Sequence, residues 1–158
     1  NDQLFARPVD AEAGLPAAIA DSLELTDSDK NSVRLYAPLA SGFHVDHQHV
    51  FNAGAILARQ GFDVWFYEDL PYSLSPDRLQ ARLDDLDGGM EVASLVDVGS
   101  VWTKKIDAIM AYPSQLKVIF ESYVGAGSSR EAIDQVMSEY SKEAGGGRHA
   151  ERFWQLAS

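Results

Sequence analysis

The spacing of apolar residues changes repeatedly along the chain, and the changes predict strands that alternate with helices. Apolar residues at every second position predict a strand over residues 33–39, and two further strand candidates are the aromatic stretch 63–71 and the stretch 90–98. Helical spacing is found in the other segments, over residues 9–25, 50–61, 76–86, 102–116 and 128–144. Strands that alternate with helices imply an α/β layered domain with a largely parallel sheet.

Proline, glycine and capping residues mark the ends of these helices. Pro113 is expected to kink the helix over 102–116, because proline lacks a backbone donor and its ring clashes with the preceding turn. Ser128 and Glu131 form a capping-box pattern at the start of the last helix, which should stop at Gly145. There is no internal repeat or long linker, so residues 1–158 are interpreted as a single domain.

The balance of charges narrows the classes of function. The chain has 158 residues, 24 acidic and 13 basic side chains, a net charge of −11 and no cysteine. Such a charge repels phosphate backbones, which argues against nucleic-acid binding, and the lack of cysteine excludes disulfides, thiolate metal sites and a cysteine nucleophile. No apolar run approaches the roughly 20 residues of a membrane span, and the first residues do not resemble a signal peptide. A soluble, cytoplasmic protein is expected.

Three of the four histidines fall within six residues, at the predicted turn between the strand 33–39 and the next helix. They are His44, His47 and His49. Open parallel sheets usually bind ligands at this kind of turn, and imidazole is a common ligand for zinc. The pattern also suits a plain helix start, with Asp46 as the N-cap and the histidines on the surface. Both interpretations stay open, because HxDH is too short to name a metal or a reaction.

Other polar residues are weaker candidates. Asp97 could bind a metal, but a helix-start turn with Ser100 is favoured. Glu68 and Asp69 follow an apolar run, where they would either meet a polar substrate or form an exposed strand end. His149 lies in a glycine-bounded tail, where exposure to solvent is expected. Nucleotide binding and Ser-His-Asp catalysis are unsupported, because glycine-rich phosphate-binding motifs and a GxSxG elbow are absent.

Three blocks of sequence and a closing segment form one ordered pattern. The blocks are APLASGFHVDH at 37–47, WFYEDLPY at 65–72, and the stretch 97–115 with its aspartate, two lysines, Ala-Ile and Tyr-x-Ser-Gln. The closing segment is AERFW at 150–154. In this order they resemble the second half of the PIG-L/LmbE-type de-N-acetylases, over roughly residues 33–154.

The resemblance implies a Rossmann-like α/β domain that holds a divalent metal, usually zinc. Such a domain hydrolyses an N-acetyl group from an amino sugar or its conjugate. On the same basis, His47 matches a metal ligand, and His44 matches the histidine that stabilises the tetrahedral oxyanion or protonates the leaving amine. Asp46 matches the carboxylate that tunes and orients that histidine.

One part of the family pattern is missing from these residues. Family members begin with a strand ending in a PHPDD-like motif, which completes the metal site and supplies the general base, and no such motif occurs here. The chain is therefore expected to be the C-terminal portion of the domain, lacking its first strand and helix, and inactive alone. Its expected partners are an amino-sugar or glycoconjugate substrate and either the missing half or a second copy of the chain. The alternative is a non-catalytic domain that binds a carbohydrate or a partner through the same cleft.

Overall fold

A computed structural model of the chain describes residues 2–157. Within this range the strands of one sheet are β1 (Arg34–Pro38), β2 (Asp63–Tyr67), β3 (Met90–Asp97) and β4 (Ala150–Leu156). The α-helices are α1 (Leu15–Asp21), α2 (Val45–Arg59), α3 (Pro76–Asp85), α4 (Trp102–Met110), α5 (Pro113–Leu116) and α6 (Arg130–Ala144). A π-helical segment, Lys117–Val124, continues α5 directly.

The sheet is mixed, with the strand order β1, β2, β4, β3. β1 and β2 are parallel, whereas β4 is antiparallel to both β2 and β3. The layered α/β class is confirmed, but only one of the strand pairs is parallel, in contrast to the largely parallel sheet expected. The difference arises because residues 150–156, which the apolar spacing does not predict as a strand, insert between β2 and β3.

α2 packs on one face of β1 and β2 and builds the first hydrophobic core. A Cβ added to Gly54 would lie 3.0 Å from atoms of both Ala37 and Phe66, so a glycine here lets the helix approach the sheet closely. Phe66 and Leu39 have no exposed surface in this core. Because α2 follows β1 after a short turn, this packing holds the N-terminus of α2 beside the carboxyl end of β1.

A second hydrophobic core lies between α4, the π-helical segment and α6. Its most deeply buried members come from all three segments and are Ile106, Phe120, Ile133 and Met137. The long helix predicted over 102–116 stops at Met110 and resumes at Pro113. The expected distortion at this proline is therefore confirmed, and it takes the form of a complete break.

Three predicted helix starts differ from the structure. The helix expected over 50–61 already begins at Val45. The helix expected over 9–25 is reduced to α1, preceded by a 3-10 turn at Asp10–Glu12. The N-cap of α6 is Ser129 rather than Ser128, because the Ser129 hydroxyl oxygen accepts a hydrogen bond from the backbone N–H of Ala132. A one-residue error of this kind is expected where two serines are adjacent.

The sheet face opposite α2 leaves aromatic side chains in contact with solvent. Tyr36 on β1 is 55% exposed, and its ring centroid lies 6.2 Å from that of Trp65 and 5.6 Å from that of Phe153. Within residues 2–157, β1 has no strand on its outer side. In the same part of the chain, no helix has the length and apolar character needed to cross a membrane.

Candidate active site

The turn between β1 and α2 carries the histidine cluster and has an unusual backbone. Ala40 and Phe43 have positive φ angles of 63° and 56°, which residues other than glycine rarely adopt. Ser41, between them, is fully buried. The backbone N–H of Leu39 donates to the Tyr67 carbonyl at 2.8 Å, so the turn is held against the end of β2. Backbone outliers of this kind cluster at functional sites.

His44 caps the N-terminus of α2. Its Nδ1 accepts a hydrogen bond from the backbone N–H of Asp46 at 3.3 Å. An accepting ring nitrogen carries no proton, so in the neutral imidazole the proton resides on Nε2. The helix start with Asp46 as its N-cap is therefore wrong, since Asp46 lies in the first helical turn. Its exposed carboxylate is 3.8 Å from His44 Nδ1, beyond hydrogen-bonding distance, and its orienting role stays a prediction.

His47 is paired with a buried carboxylate. Its Nδ1 lies 2.5 Å from Oδ1 of Asp69, whose side chain is 1% exposed. The other carboxylate oxygen of Asp69 accepts the backbone N–H of Ser41 at 3.1 Å. The hydrogen bond that His47 makes to the Asp69 carboxylate raises the pKa of His47 against the opposing effect of burial. Because Nδ1 is engaged, Nε2 is the ring nitrogen left for a ligand.

Among the candidate site residues, Asp69 is the one for which the sequence gives the weakest indication. The sequence is compatible with Glu68 and Asp69 as either substrate contacts or an exposed strand end. Both are buried, at 8% and 3% exposure, so the exposed strand end is wrong. Their position in the sequence is the feature that could have indicated a site, because both residues follow a parallel strand that neighbours the histidine turn.

Glu68 forms a buried hydrogen-bonded group next to Asp69. Its Oε1 accepts from Arg152 Nε at 2.5 Å and from Trp154 Nε1 at 2.9 Å, both on β4. Its Oε2 accepts the hydroxyl of Tyr140 on α6 at 2.5 Å. Burial is the main cause that raises the pKa of Tyr140, and the negative charge of Glu68 adds to it. Glu68 thus ties β2, β4 and α6 together beside the histidine turn.

A cavity of about 510 Å³ opens beside this group. Its polar lining comes from α2, β2, α4, α6 and β4, and includes His47, Asp69, Lys105, Tyr140, Glu151 and Arg152. Lys105 and Glu151 form an ion pair in the wall. The cavity therefore places His47 beside a space large enough for a sugar-sized ligand, lined by both charged and aromatic groups.

The remaining candidates lie elsewhere. His49 is buried, and its Nε2 is 3.1 Å from Glu12 of the 3-10 turn that precedes α1. The Asp97 carboxylate accepts a hydrogen bond from the backbone N–H of Gly99 in the turn that leads into α4, which agrees with the favoured helix-start turn, although its partner is Gly99 rather than Ser100. His149 stacks on Trp102 with ring centroids 3.9 Å apart, so its expected place in solvent is wrong.

The described part of the chain holds a partial set of metal donors. Among residues 2–157, no three or more His, Cys, Asp or Glu side chains are grouped so that they could hold a metal ion. His44 and His47 are close, with ring centroids 5.3 Å apart. His47, oriented by Asp69, has the arrangement usual for a single imidazole ligand, in which a carboxylate engages the second ring nitrogen.

Comparison with known proteins relates the chain to deacetylases. No protein-family model matches it. The chain is 33% identical over 112 residues to a curated 2'-N-acetylparomamine deacetylase of Streptomyces fradiae. That match covers 68% of this chain and 39% of the relative.

Solved deacetylase structures share the fold. The zinc-inhibited form of a teicoplanin deacetylase has a TM-score of 0.65 and 19% identity, with 95% of this chain and 54% of that chain covered. The deacetylase of the antimicrobial A40926 pseudoaglycone has a TM-score of 0.62 and 24% identity, with 90% and 57% covered. The chain thus spans little more than half the length of these structures. By its sequence match and its fold, the chain belongs to the PIG-L/LmbE-type de-N-acetylases.

Proposed function

We propose that the chain is part of a hydrolase that removes an N-acetyl or other N-acyl group from an amino sugar or glycoconjugate. The observation that carries the proposal is the pairing of His47 with buried Asp69 at the rim of the cavity, three residues after His44. This geometry supplies one oriented ligand nitrogen and one protonated imidazole nitrogen side by side. The deacetylase names of the relatives support the same reaction.

His47 is the residue of this chain that would hold a divalent metal, zinc or another ion. Its Nε2 is free, and the Asp69 hydrogen bond fixes the tautomer that presents this nitrogen. A divalent ion in such a site polarises the amide carbonyl and lowers the pKa of water. The zinc-inhibited form of the teicoplanin deacetylase indicates that zinc acts on that relative. We propose a site of this kind here.

His44 would stabilise the negative charge that develops on the amide oxygen and would supply a proton to the departing amine. Amide hydrolysis adds water to the carbonyl carbon, develops negative charge on the carbonyl oxygen, breaks the C–N bond and requires a proton on the departing amine. With Nδ1 accepting from the Asp46 amide, neutral His44 presents an Nε2–H that can donate a hydrogen bond to the oxyanion. Proton transfer to the amine nitrogen requires the imidazolium form, in which Nδ1 takes up a second proton and no longer accepts from that amide. The side chain is 20% exposed, so bulk solvent can return the proton.

The catalytic constellation would be completed by residues outside these 158, on the same polypeptide or on another chain. A PHPDD-like motif does not occur in this sequence, and one histidine is too few ligands for tight metal binding. Within residues 2–157 the outer edge of β1, the strand that leads into the histidine turn, is unpaired and offers a surface for the completing segment. On this proposal, residues 1–158 alone are inactive and are the C-terminal portion of one catalytic domain.

A non-catalytic carbohydrate- or partner-binding domain is the second candidate. It is favoured by the lack of a grouped metal-donor set within residues 2–157. The cavity itself would serve such a domain, because its ion pairs and aromatic rings can bind a sugar without chemistry. The two candidates differ in two measurable properties. Only the hydrolase requires a bound metal, and only the hydrolase releases a carboxylic acid from the substrate.

The test compares His47→Ala and His44→Gln in the complete protein, with His149→Ala as a matched control outside the site. We expect His47→Ala to release most of the bound metal and abolish release of acetate from an N-acetyl amino sugar. His44→Gln should retain the metal and lower kcat by about 10²- to 10⁴-fold. His149→Ala should retain both metal and activity.

Three results would contradict these assignments. Metal content that is unchanged in His47→Ala would exclude this residue as a ligand. A loss in His44→Gln confined to KM would exclude its proton-transfer role. A complete protein that binds metal and sugar but releases no acetate would favour the non-catalytic candidate.

A further inference from the structure

A slot outside the 510 Å³ cavity lies between three rings, one of which is the imidazole of His44. The rings are those of His44, Tyr72 and Tyr123. The centroids of the two tyrosine rings are 5.3 Å apart and nearly perpendicular, at 77°. Tyr72 also lies 6.0 Å from His47, so the slot borders both histidines of the candidate active site. None of the hydrogen bonds described above uses these tyrosines.

Tyr72 is held in place by the backbone of the histidine turn. A Cβ added to Gly42 would lie 2.4 Å from Cγ of the Tyr72 ring, so only glycine leaves room for the ring at this point. Gly42 is two residues before His44. The position of the ring is therefore fixed relative to the imidazole by covalent structure and close packing, as specificity in a binding site requires.

Tyr123 comes from the π-helical segment, which ends at Gly125 in the left-handed conformation with φ of 75°. The Cζ atom of Arg78 lies 4.2 Å from the centroid of the Tyr123 ring, a cation–π contact that holds this ring from α3. π-helical turns are rare and occur frequently at functional sites. Here the irregular helix has an identifiable result, which is to bring Tyr123 to the edge of the histidine turn.

In this structure the slot is filled by a ring of the chain itself. The Phe5 centroid lies 5.5 Å from His44, 6.2 Å from Tyr72 and 5.6 Å from Tyr123. Phe5 remains 37% exposed, so the slot opens to solvent. The backbone next to Phe5 is tied down, because the Gln48 amide donates to the Ala6 carbonyl at 2.9 Å. The slot thus accepts a six-membered ring, and its present occupant is a single side chain.

We propose that the slot between His44, Tyr72 and Tyr123 is a subsite for the pyranose ring of the amino sugar, and that Phe5 competes with the sugar for it. The inference rests on the proposed function, because His44 can protonate the departing amine only if the sugar that bears this amine lies next to it. The apolar C–H face of a pyranose packs on tyrosine rings, while its hydroxyls remain in solvent at the open side. A contact of the size found for aromatic pairs, about 0.5–1.5 kcal/mol, corresponds to roughly a twofold to twelvefold change in affinity.

The experiment measures two quantities on the complete protein and its variants. One is the Kd of methyl glucosaminide, a deacetylated product analogue, by calorimetry. The other is KM and kcat for methyl N-acetylglucosaminide. Tyr123→Ala should raise Kd and KM by about twofold to twelvefold with a small effect on kcat, and Tyr123→Phe should restore both. Phe5→Ala should lower both. Tyr112→Ala, at a tyrosine that is 67% exposed and outside the slot, is the matched control.

The outcomes separate this inference from the proposed function. Sugar binding that depends on Tyr123 without any acetate release would contradict the proposed hydrolase activity and would support the subsite. Acetate release with Kd and KM unchanged in Tyr123→Ala, in a variant that unfolds at the wild-type temperature, would overturn the subsite. A rise in KM for Phe5→Ala would make Phe5 a wall of the site and contradict its role as a competitor. Binding of phenol by a protein that does not bind the glucosaminide at all would overturn the pyranose assignment.

Discussion

Nδ1 of His47 and Oδ1 of Asp69 lie 2.5 Å apart, although 22 residues separate them in the chain. The carboxylate comes from the end of β2 and the imidazole from the first turn of α2, so the contact joins two neighbouring strand ends. Asp69 is itself held by the backbone N–H of Ser41 in the histidine turn. The candidate ligand is thus oriented by a carboxylate that the turn itself keeps in place.

Asp69→Asn should weaken metal binding without removing a ligand. The asparagine side chain has one acceptor oxygen, so it can satisfy either His47 Nδ1 or the Ser41 N–H, but its NH₂ group opposes the other. Loss of an outer-shell partner typically costs 10- to 100-fold in metal affinity, which a competing chromophoric chelator can measure on the complete protein. The buried mismatch should also lower the free energy of unfolding by about 1–3 kcal/mol.

Asp46→Asn is the matched control for that change. Its carboxylate is 78% exposed and does not contact His47, so metal affinity and stability should remain close to wild type. Equal metal affinity in Asp69→Asn and Asp46→Asn would show that the Asp69 contact does not orient the ligand.

Glu68→Gln should destabilise the protein more than a similar change at the neighbouring ion pair. The Glu68 side chain is 4% exposed, and its carboxylate neutralises Arg152, which would face a neutral amide after the substitution. Hydrogen bonds to charged groups contribute about 1.5–3 kcal/mol, and we expect a loss of this size in chemical denaturation. Glu151→Gln breaks the ion pair with Lys105. Because the Glu151 side chain is 36% exposed, the loss in the free energy of unfolding should be less than about 1 kcal/mol. Equal losses in the two variants would contradict the structural role given to Glu68.

The parts of the fold that the sequence predicts are those decided by local burial. β1 shows alternating apolar residues because α2 covers one of its faces, and α2 shows helical spacing because one stripe of it packs on the sheet. The break at Pro113 follows from the chemistry of a single residue. These elements need no knowledge of distant contacts.

The inner strand β4 is missed for a physical reason. Its segment follows three glycines and contains Glu151 and Arg152, which argue for an exposed tail. The charge of Arg152 is tolerated in the sheet because Glu68, 84 residues earlier, accepts its hydrogen bond. The sequence gives little indication of a role for Asp69 for the same reason, because its partner His47 comes close only once two strands are arranged side by side.

Deletion of residues 150–156 should therefore abolish the cooperative fold, although this segment has the sequence of a dispensable tail. β4 pairs with β2 through Phe66 and Trp154 and with β3 along most of its length, so its loss leaves β3 without a partner strand and β2 paired only with β1. Trp154 also contributes to the first core. Trp154→Phe, which keeps the strand and most of the apolar volume but removes the hydrogen bond to Glu68, should lose only about 1.5–3 kcal/mol. Circular dichroism during urea titration distinguishes the two, and a deletion variant that still unfolds in one sharp transition would place β4 outside the cooperative core.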